Sequence, residues 1–249
     1  MRALIPAAGL GTRWYPWSKV VPKELLPLGQ YPAIHYVLEE AVAAGTTEIG
    51  IIISEAKKLI RMYVENVWQV QRPKERIVWF YQTSPRGVAN ALLCAKEWVG
   101  DKPTSVLYPD EIHPSEGGII QLRSAYEDFP ASYIGLTANK QDRRQAVLKI
   151  EKIGENIFHV NEFRKDKSAQ QIGYGTGRYI LHSGLSYLGD YLPQVALQQS
   201  EELDDDKILQ PLWEKSMCGT MLSEPIFDIG IPTNWLCTIA NFCTVDLKI

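Results

Sequence analysis

Six residues into the chain, the stretch "AAGLGTRWYPWSKVVPKELLPLG" (Ala7–Gly29) sets Gly9 and Gly11, the cations Arg13 and Lys23, and the stiffening Pro16, Pro22 and Pro27 directly behind the apolar run "ALIP". Glycines allow a tight turn that aims several backbone N–H groups at an anion, with no Cβ in the way. Two fixed cations on a rigid, glycine-bearing loop suit a polyphosphate. The spacing is not the dinucleotide fingerprint, because Trp14 stands where its third glycine belongs, nor the Walker pattern, because no Gly-Lys-Ser/Thr follows. Far along the chain, Asp110 closes "SVLYPD" and Asp228 sits in "IFDIG", each behind an apolar run. Carboxylates in such places stand at the carboxyl edge of a sheet, where α/β folds bind ligands. Glu111 and His113 follow in "PDEIHP", and His113 reads as a solvated loop residue rather than a ligand.

The elements that must position these groups alternate. "ALIP", "EIGIII", "RIVWFYQ", "TSVLYPD" and "SYIGLT" read as strands, while "AIHYVLEEAVAAG" (closed by Gly45), "EAKKLIRMYVENVWQV", "GVANALLCAKEWVG" and "GGIIQLRSAYEDF" read as helices. Strands separated by helices need crossover connections, which predicts a mostly parallel sheet covered on both faces. From about 140 to 182 the spacing tightens to "AVLKI", "IFHVNEF" and "GRYIL", read as an antiparallel or mixed β insertion flanking the site. Beyond it, "DDKILQPLWEKSM" reads as helical, "TMLSEPIFDIG" as strand-like and "IPTNWLCTIANFCTV" as helical.

The chain has 249 residues, 45% hydrophobic and 22% charged, which is ordinary for one α/β domain spanning 1–249. A formal net charge of -3 leaves no basic excess to neutralise a nucleic-acid backbone, so no nucleic-acid partner is expected. Cys94, Cys218, Cys237 and Cys243 show neither C-x-x-C spacing nor disulfide-scaffold density, and no apolar run approaches a membrane span. The expectation is a reduced, cytoplasmic protein with no membrane partner.

G-L-G-T-R followed by P-K-E-L-L-P-L resembles the signature of nucleotide-sugar pyrophosphorylases, and in particular of UTP–glucose-1-phosphate uridylyltransferases and glucose-1-phosphate thymidylyltransferases. "AAGTTEIGIII", "GVANALLCAKEWVGDKPTSVLYPD" and "FDIGIPTNWLCTIANF" resemble further blocks of the family in its own order. The resemblance implies a Rossmann-like three-layer α/β sandwich, a nucleoside triphosphate and a sugar 1-phosphate as substrates, Mg²⁺ as cofactor, and a homodimer or homotetramer. It also implies roles. Ala8, Gly9, Gly11 and Thr12 cradle the nucleotide; Arg13 grips the departing β- and γ-phosphates; Lys23 bridges the α-phosphate and the incoming phosphate; Asp110 and Asp228 hold the metal. Gln82 and Gly87 face the nucleobase, where a primary amide suits uracil or thymine and, flipped, cytosine.

The sugar side departs from the family. Where V-E-K-P is common, this chain has "VNEFRKD", so Glu162 corresponds but Phe163 replaces the lysine, leaving Arg164 or Lys165 to supply the phosphate-binding cation. Ala146 replaces a glycine, while "GYGTGRYIL" keeps Gly177 and Tyr179. Three alternatives remain open: the same chemistry with CTP or another phosphate acceptor, a nucleotide-binding regulatory protein without turnover, and a dinucleotide-dependent oxidoreductase using Glu55. Trp14, Tyr15 and Trp17 are expected to pack over the loop or against a neighbouring subunit, and "EELDDD" (Glu201 to Asp206) to be a solvated loop.

Overall fold

The computed structural model describes residues 1–84, 86–113, 117–138, 147–163, 172–186, 212 and 217–242, with backbone alone at 161–163 and 241–242. Arg164, Lys165, Ala146, Cys243, the "EELDDD" run and nearly all of the expected helix before Met217 lie outside these residues.

The strands are β1 (Arg2–Pro6), β2 (Pro27–Leu28), β3 (Tyr31–Pro32), β4 (Glu48–Ile53), β5 (Arg76–Tyr81), β6 (Thr104–Leu107), β7 (Glu111–Ile112), β8 (Tyr133–Thr137), β9 (Val147–Lys152), β10 (Ile157–Phe163), β11 (Ile172–Leu181), β12 (Met217–Met221) and β13 (Phe227–Asp228). The α-helices are α1 (Ala33–Ala43), α2 (Lys58–Tyr63), α3 (Gln69–Gln71), α4 (Gly87–Leu93), α5 (Lys96–Val99), α6 (Gly117–Asp128) and α7 (Pro232–Phe242). Among the described residues, nine strands form one sheet in the order β5-β4-β1-β6-β11-β8-β12-β10-β9. β5, β4, β1 and β6 run parallel, as do β8 and β12, while β11 and β10 run against their neighbours. The sheet is therefore mixed with most strands in one direction, as the alternation implies.

Side chains on successive strand residues point to opposite faces. Ala3, Ile5, Ile49, Ile51 and Ile53 accordingly join one core with α1 and α6, and Leu4 and Ile52 a second with α4 and α5. Two cores either side of one sheet make the three layers. The expected antiparallel segment supplies β9, β10 and β11, but β11 lies between β6 and β8 inside the main sheet. It is thus a structural strand of the core as well as a neighbour of the site.

Local chemistry explains several boundaries. α1 ends where Gly45, at φ 75°, donates to the Val42 carbonyl (2.7 Å) and Thr46 to that of Ala41 (3.1 Å), a left-handed cap that favours glycine. The helix read as continuous over 87–100 breaks after Leu93: the Cys94 and Ala95 amides bond three residues back, and the redirected chain lays Trp98 against Phe80 and beneath Arg2. The stretch after Ser54 opens with a 3₁₀ turn (Glu55–Lys57) and widens into a π turn over Val64–Trp68, which buries both ends of that turn. "TMLSEPIFDIG" forms two strands, β12 and β13, rather than one.

Candidate functional site

β1 delivers the chain to the carboxyl edge of the sheet, where Ala7 N–H bonds the Ile52 carbonyl of β4 at 2.8 Å. The next residues turn back through Gly11, at φ 64°, and Ser18 Oγ donates to its carbonyl at 2.7 Å. A 3₁₀ turn over Thr12–Trp14 follows. Trp14 is buried, donates its indole N–H to the Ile229 carbonyl at 3.0 Å and meets Trp235 edge-on, ring centroids 5.7 Å apart. The glycine loop is thereby tied to the residue after Asp228. Tyr15 and Trp17 are exposed, the Tyr15 ring lying under the Lys19 ammonium at 5.4 Å, so Trp14 alone of the three is buried.

Beside this loop lies a cavity of about 490 Å³ lined by Ala8, Gly9, Gly11, Thr12, Arg13, Lys23, Gln82 and Gly87, together with Gly230. Every residue assigned from sequence to the nucleotide or to catalysis is therefore on one wall set. A second concavity of about 510 Å³ lies at the opposite edge of the sheet, where Arg2 and Arg123 are already paired with Glu48 and Glu127. It holds none of the predicted groups.

The two glycines do different jobs. A Cβ at Gly11 would be strained by the left-handed backbone, whereas a Cβ at Gly9 would meet no protein atom within 4 Å and so would project into open space at the cavity wall. Gly9→Ala is expected to leave Tm within about 1–2 °C of wild type while raising the KM for the nucleotide about tenfold, read by thermal denaturation and steady-state kinetics. A normal KM would mean that no ligand approaches this face.

Lys23 sits in the 3₁₀ turn Lys23–Leu25, and its ammonium contacts Asp110 Oδ2. Burial works against the charge on Lys23, but the Asp110 and Glu24 carboxylates outweigh it and hold its pKa above the ordinary lysine value. Burial likewise works against ionised Asp110, and Lys23 more than compensates, so its carboxyl titrates below the usual range. The turn is anchored from behind by a buried ion pair, Lys57 Nζ to Glu24 Oε1 at 2.7 Å. Arg13 is exposed, has no hydrogen-bond partner among the described residues, and is close enough to act electrostatically on both Lys23 and Asp110.

The pairing of β7 with β13 brings the main chain at Asp110 beside that at Asp228. Asp228 is the register partner of Glu111, and Ile229 N–H donates to the Asp110 carbonyl at 2.8 Å. Gly230 N–H holds Asp228 Oδ1 at 2.6 Å. Each carboxylate is a hard oxygen donor of the kind Mg²⁺ takes while keeping waters or phosphate oxygens in its remaining positions. No group of three or more His, Cys, Asp or Glu side chains suited to a metal occurs among the described residues, so an ion here would complete its shell from substrate and solvent.

Behind Asp110 lies a network that sequence reading missed. Arg178 of β11 is fully buried, forks onto both oxygens of Glu40 of α1 (Nε 2.9 Å, Nη2 2.7 Å), and donates to the carbonyls of Tyr108 (3.1 Å) and Glu111 (2.7 Å). These carbonyls bracket Asp110. Glu111 Oε2 accepts from Gly177 N–H at 2.7 Å, and its carboxyl is pushed up to about 8, by burial first and with Asp110 and Asp228 adding to the shift. The only sequence signals are a glutamate on the otherwise apolar face of α1 and an arginine inside a strand.

His113 corrects its reading as a solvated loop residue: it is 4% exposed, against Glu40 and Gly118, with neither ring nitrogen hydrogen-bonded. Burial lowers its pKa from 6.5 to about 4. A histidine kept neutral in the fold and free to protonate when unfolded contributes stability that is complete above pH 6.5 and lost as pH falls towards 4. Tm measured across that window should fall, and the fall should be shallower in His113→Leu; equal slopes would assign it to other groups.

Gln82, 6% exposed at the end of β5, uses both amide hydrogens inside the protein, to the Gly87 carbonyl at 3.0 Å and to Asn90 Oδ1 at 2.9 Å. A carbonyl only accepts, so the Gly87 bond fixes which end of the amide is nitrogen. Oε1 is left for a ligand.

Of the residues expected to bind the sugar phosphate, Gly177 donates to Glu111 and accepts from Tyr108 N–H at 2.9 Å, and a Cβ there would run into the Tyr108 side chain. Its backbone groups are thus engaged by the protein, and it does not line the cavity. Glu162 lies on β10 opposite Lys149, just past a bulge after Val160; its side chain, like Arg164 and Lys165, is outside the described residues. No helix among the described residues is long and apolar enough to cross a membrane.

Comparison with known proteins bears on the family and the fold. The family model for nucleotidyl transferases matches residues 2–229. UTP–glucose-1-phosphate uridylyltransferase 2 of Staphylococcus saprophyticus is 34% identical over 205 residues, 72% of this chain and 71% of its own. UTP–glucose-1-phosphate uridylyltransferase of Bacillus subtilis is 36% identical over 154 residues, a match spanning 54% of this chain and 53% of that relative. The crystal structure of a UDP-glucose pyrophosphorylase complexed with UDP-glucose shares the fold, with a TM-score of 0.81 at 21% identity over 97% of this chain and 98% of the other. The match of the family model over nearly the whole chain and the likeness to these relatives lead to one conclusion: the chain belongs to the nucleotidyl transferase family.

Proposed function

We propose that the protein transfers the nucleoside monophosphate of UTP or dTTP to a sugar 1-phosphate, releasing pyrophosphate and forming a nucleotide-sugar. The observation that carries this reading is the single cavity in which the glycine loop, Arg13, Lys23 and Gln82 converge next to Asp110. The names of the relatives support glucose 1-phosphate as the first acceptor to try.

In this reading an oxygen of the sugar phosphate attacks the α-phosphorus, the bond to the β-phosphate oxygen breaks, and pyrophosphate leaves with that electron pair. No proton need move. The obstacle is charge, since two polyanions must meet, so positioning and electrostatic stabilisation carry the rate. Backbone N–H groups from Ala8 to Thr12 take the phosphates, and Arg13, with its guanidinium uncommitted, takes the departing pair. Lys23, already poised on Asp110, would bridge the α-phosphate and the incoming sugar phosphate. Asp110 and Asp228 would hold Mg²⁺, which supplies Lewis-acid neutralisation of phosphate charge when bound. Gln82 Oε1 accepts the imide N–H of uracil or thymine.

The test is pyrophosphate release from UTP, dTTP, CTP and ATP, each with Mg²⁺ and a panel of phosphates. Release is expected with UTP or dTTP only when a sugar 1-phosphate is present. Turnover with no sugar 1-phosphate would overturn the assignment.

A further inference from the structure

We infer that Asn90 sets the base preference of the site: by accepting the second Gln82 amide hydrogen, it leaves Gln82 nothing but an acceptor to offer a pyrimidine. The inference rests on the proposed function for the identity of the ligand, but not for the geometry.

The amide nitrogen of Gln82 carries two hydrogens. The Gly87 carbonyl takes one at 3.0 Å, and being backbone it is present whatever the sequence. Asn90, one turn further along α4, takes the other through Oδ1 at 2.9 Å. The Gln82 main chain is itself held, its N–H on the Ile53 carbonyl at 2.9 Å, and the side chain cannot swing away without breaking both amide bonds. With both hydrogens spent, the group left for a base is Oε1. Uracil and thymine present N3–H to such an acceptor. Cytosine presents an unprotonated N3, whose lone pair would face the lone pairs of Oε1, and a site that hydrogen-bonds one edge rejects an edge that cannot reciprocate. Were Asn90 absent, one amide hydrogen would be unspent and the amide, anchored by a single side-chain bond, could turn that hydrogen to N3 of cytosine. Asn90 itself does not line the cavity. It acts through Gln82, as a positioning residue.

The experiment compares wild type, Asn90→Leu and Asn90→Asp. The UTP:CTP affinity ratio is measured by calorimetry without any phosphate acceptor, and the kcat/KM ratio with glucose 1-phosphate. Asn90→Leu should shrink the UTP:CTP ratio about tenfold, the scale of one hydrogen bond whose loss releases its partner, with the change in KM rather than kcat. Asn90→Asp keeps the acceptor and should keep the ratio within about twofold. A merely structural role would lower Tm and both affinities together and leave the ratio alone. The inference is overturned if the ratio is unchanged in Asn90→Leu, or if Asn90→Asp loses it equally; Asn90→Ala serves the same purpose should the leucine variant not fold. If no acceptor gives turnover but the affinity ratio moves as described, the proposed reaction fails and the role of Asn90 stands.

Discussion

Lys23→Met should lower kcat for pyrophosphate release about 10³-fold with little change in the KM for nucleotide. The lysine is the cation nearest both phosphates in the proposed reaction, and removing one preorganised group that meets developing charge costs about 3–4 kcal/mol in the transition state. Its ammonium is poised by the contact with Asp110 and by the Glu24–Lys57 pair behind it, so its position is set before substrate arrives. Arginine at this position should not rescue, because a planar fork cannot occupy the place of a compact ammonium against Asp110. Asp110→Asn should fall comparably, and the double variant should lose far less than the product of the two, since the groups touch. Single-turnover and steady-state kinetics measure this. Near-wild-type kcat in Lys23→Met would remove Lys23 from the chemistry.

Breaking the buried pair behind the aspartate should give the largest loss of stability. Arg178 and Glu40 are 0% and 3% exposed, and removing one partner leaves the other charged, buried and unmatched. Arg178→Met is therefore expected to cost about 3–5 kcal/mol, or roughly 10 °C or more in Tm for a chain of this size. Pairing it with Glu40→Leu should recover much of that loss, because the stranded carboxylate is gone. Activity should not recover with it. Arg178 also holds the Tyr108 and Glu111 carbonyls that flank Asp110, and neither methionine nor leucine can donate to them. Thermal denaturation of both variants, alongside kcat of the double variant, separates the two roles.

The parts of this site legible in the sequence are those whose chemistry is local. Gly9, Gly11, Arg13 and Lys23 lie on one stiff loop, and Asp110 and Asp228 each follow an apolar run, so turn geometry and strand ends place them. The strand–helix alternation likewise carries the parallel half of the sheet. What the alternation cannot carry is β11 crossing to the middle of the sheet, because strand order is decided by packing across the whole chain. The same holds for Glu40 and Arg178, 138 positions apart, and for Lys57 and Glu24, 33 apart. A buried charge looks like a surface charge in one dimension, and only its partner reveals it. Asn90 was hidden for another reason: its oxygen acts on Gln82 rather than on a ligand, and "GVANALL" reads simply as helix.

The central claim is that the glycine loop and the two aspartates form one metal- and triphosphate-binding pocket. The most direct measurement is the binding of Mn²⁺, an oxygen-seeking paramagnetic stand-in for Mg²⁺, to the protein with a non-hydrolysable UTP analogue, followed by electron paramagnetic resonance. Wild type should bind Mn²⁺ together with the analogue, and Asp110→Asn and Asp228→Asn should each weaken it about tenfold or more. Unchanged Mn²⁺ binding in both variants would contradict the account.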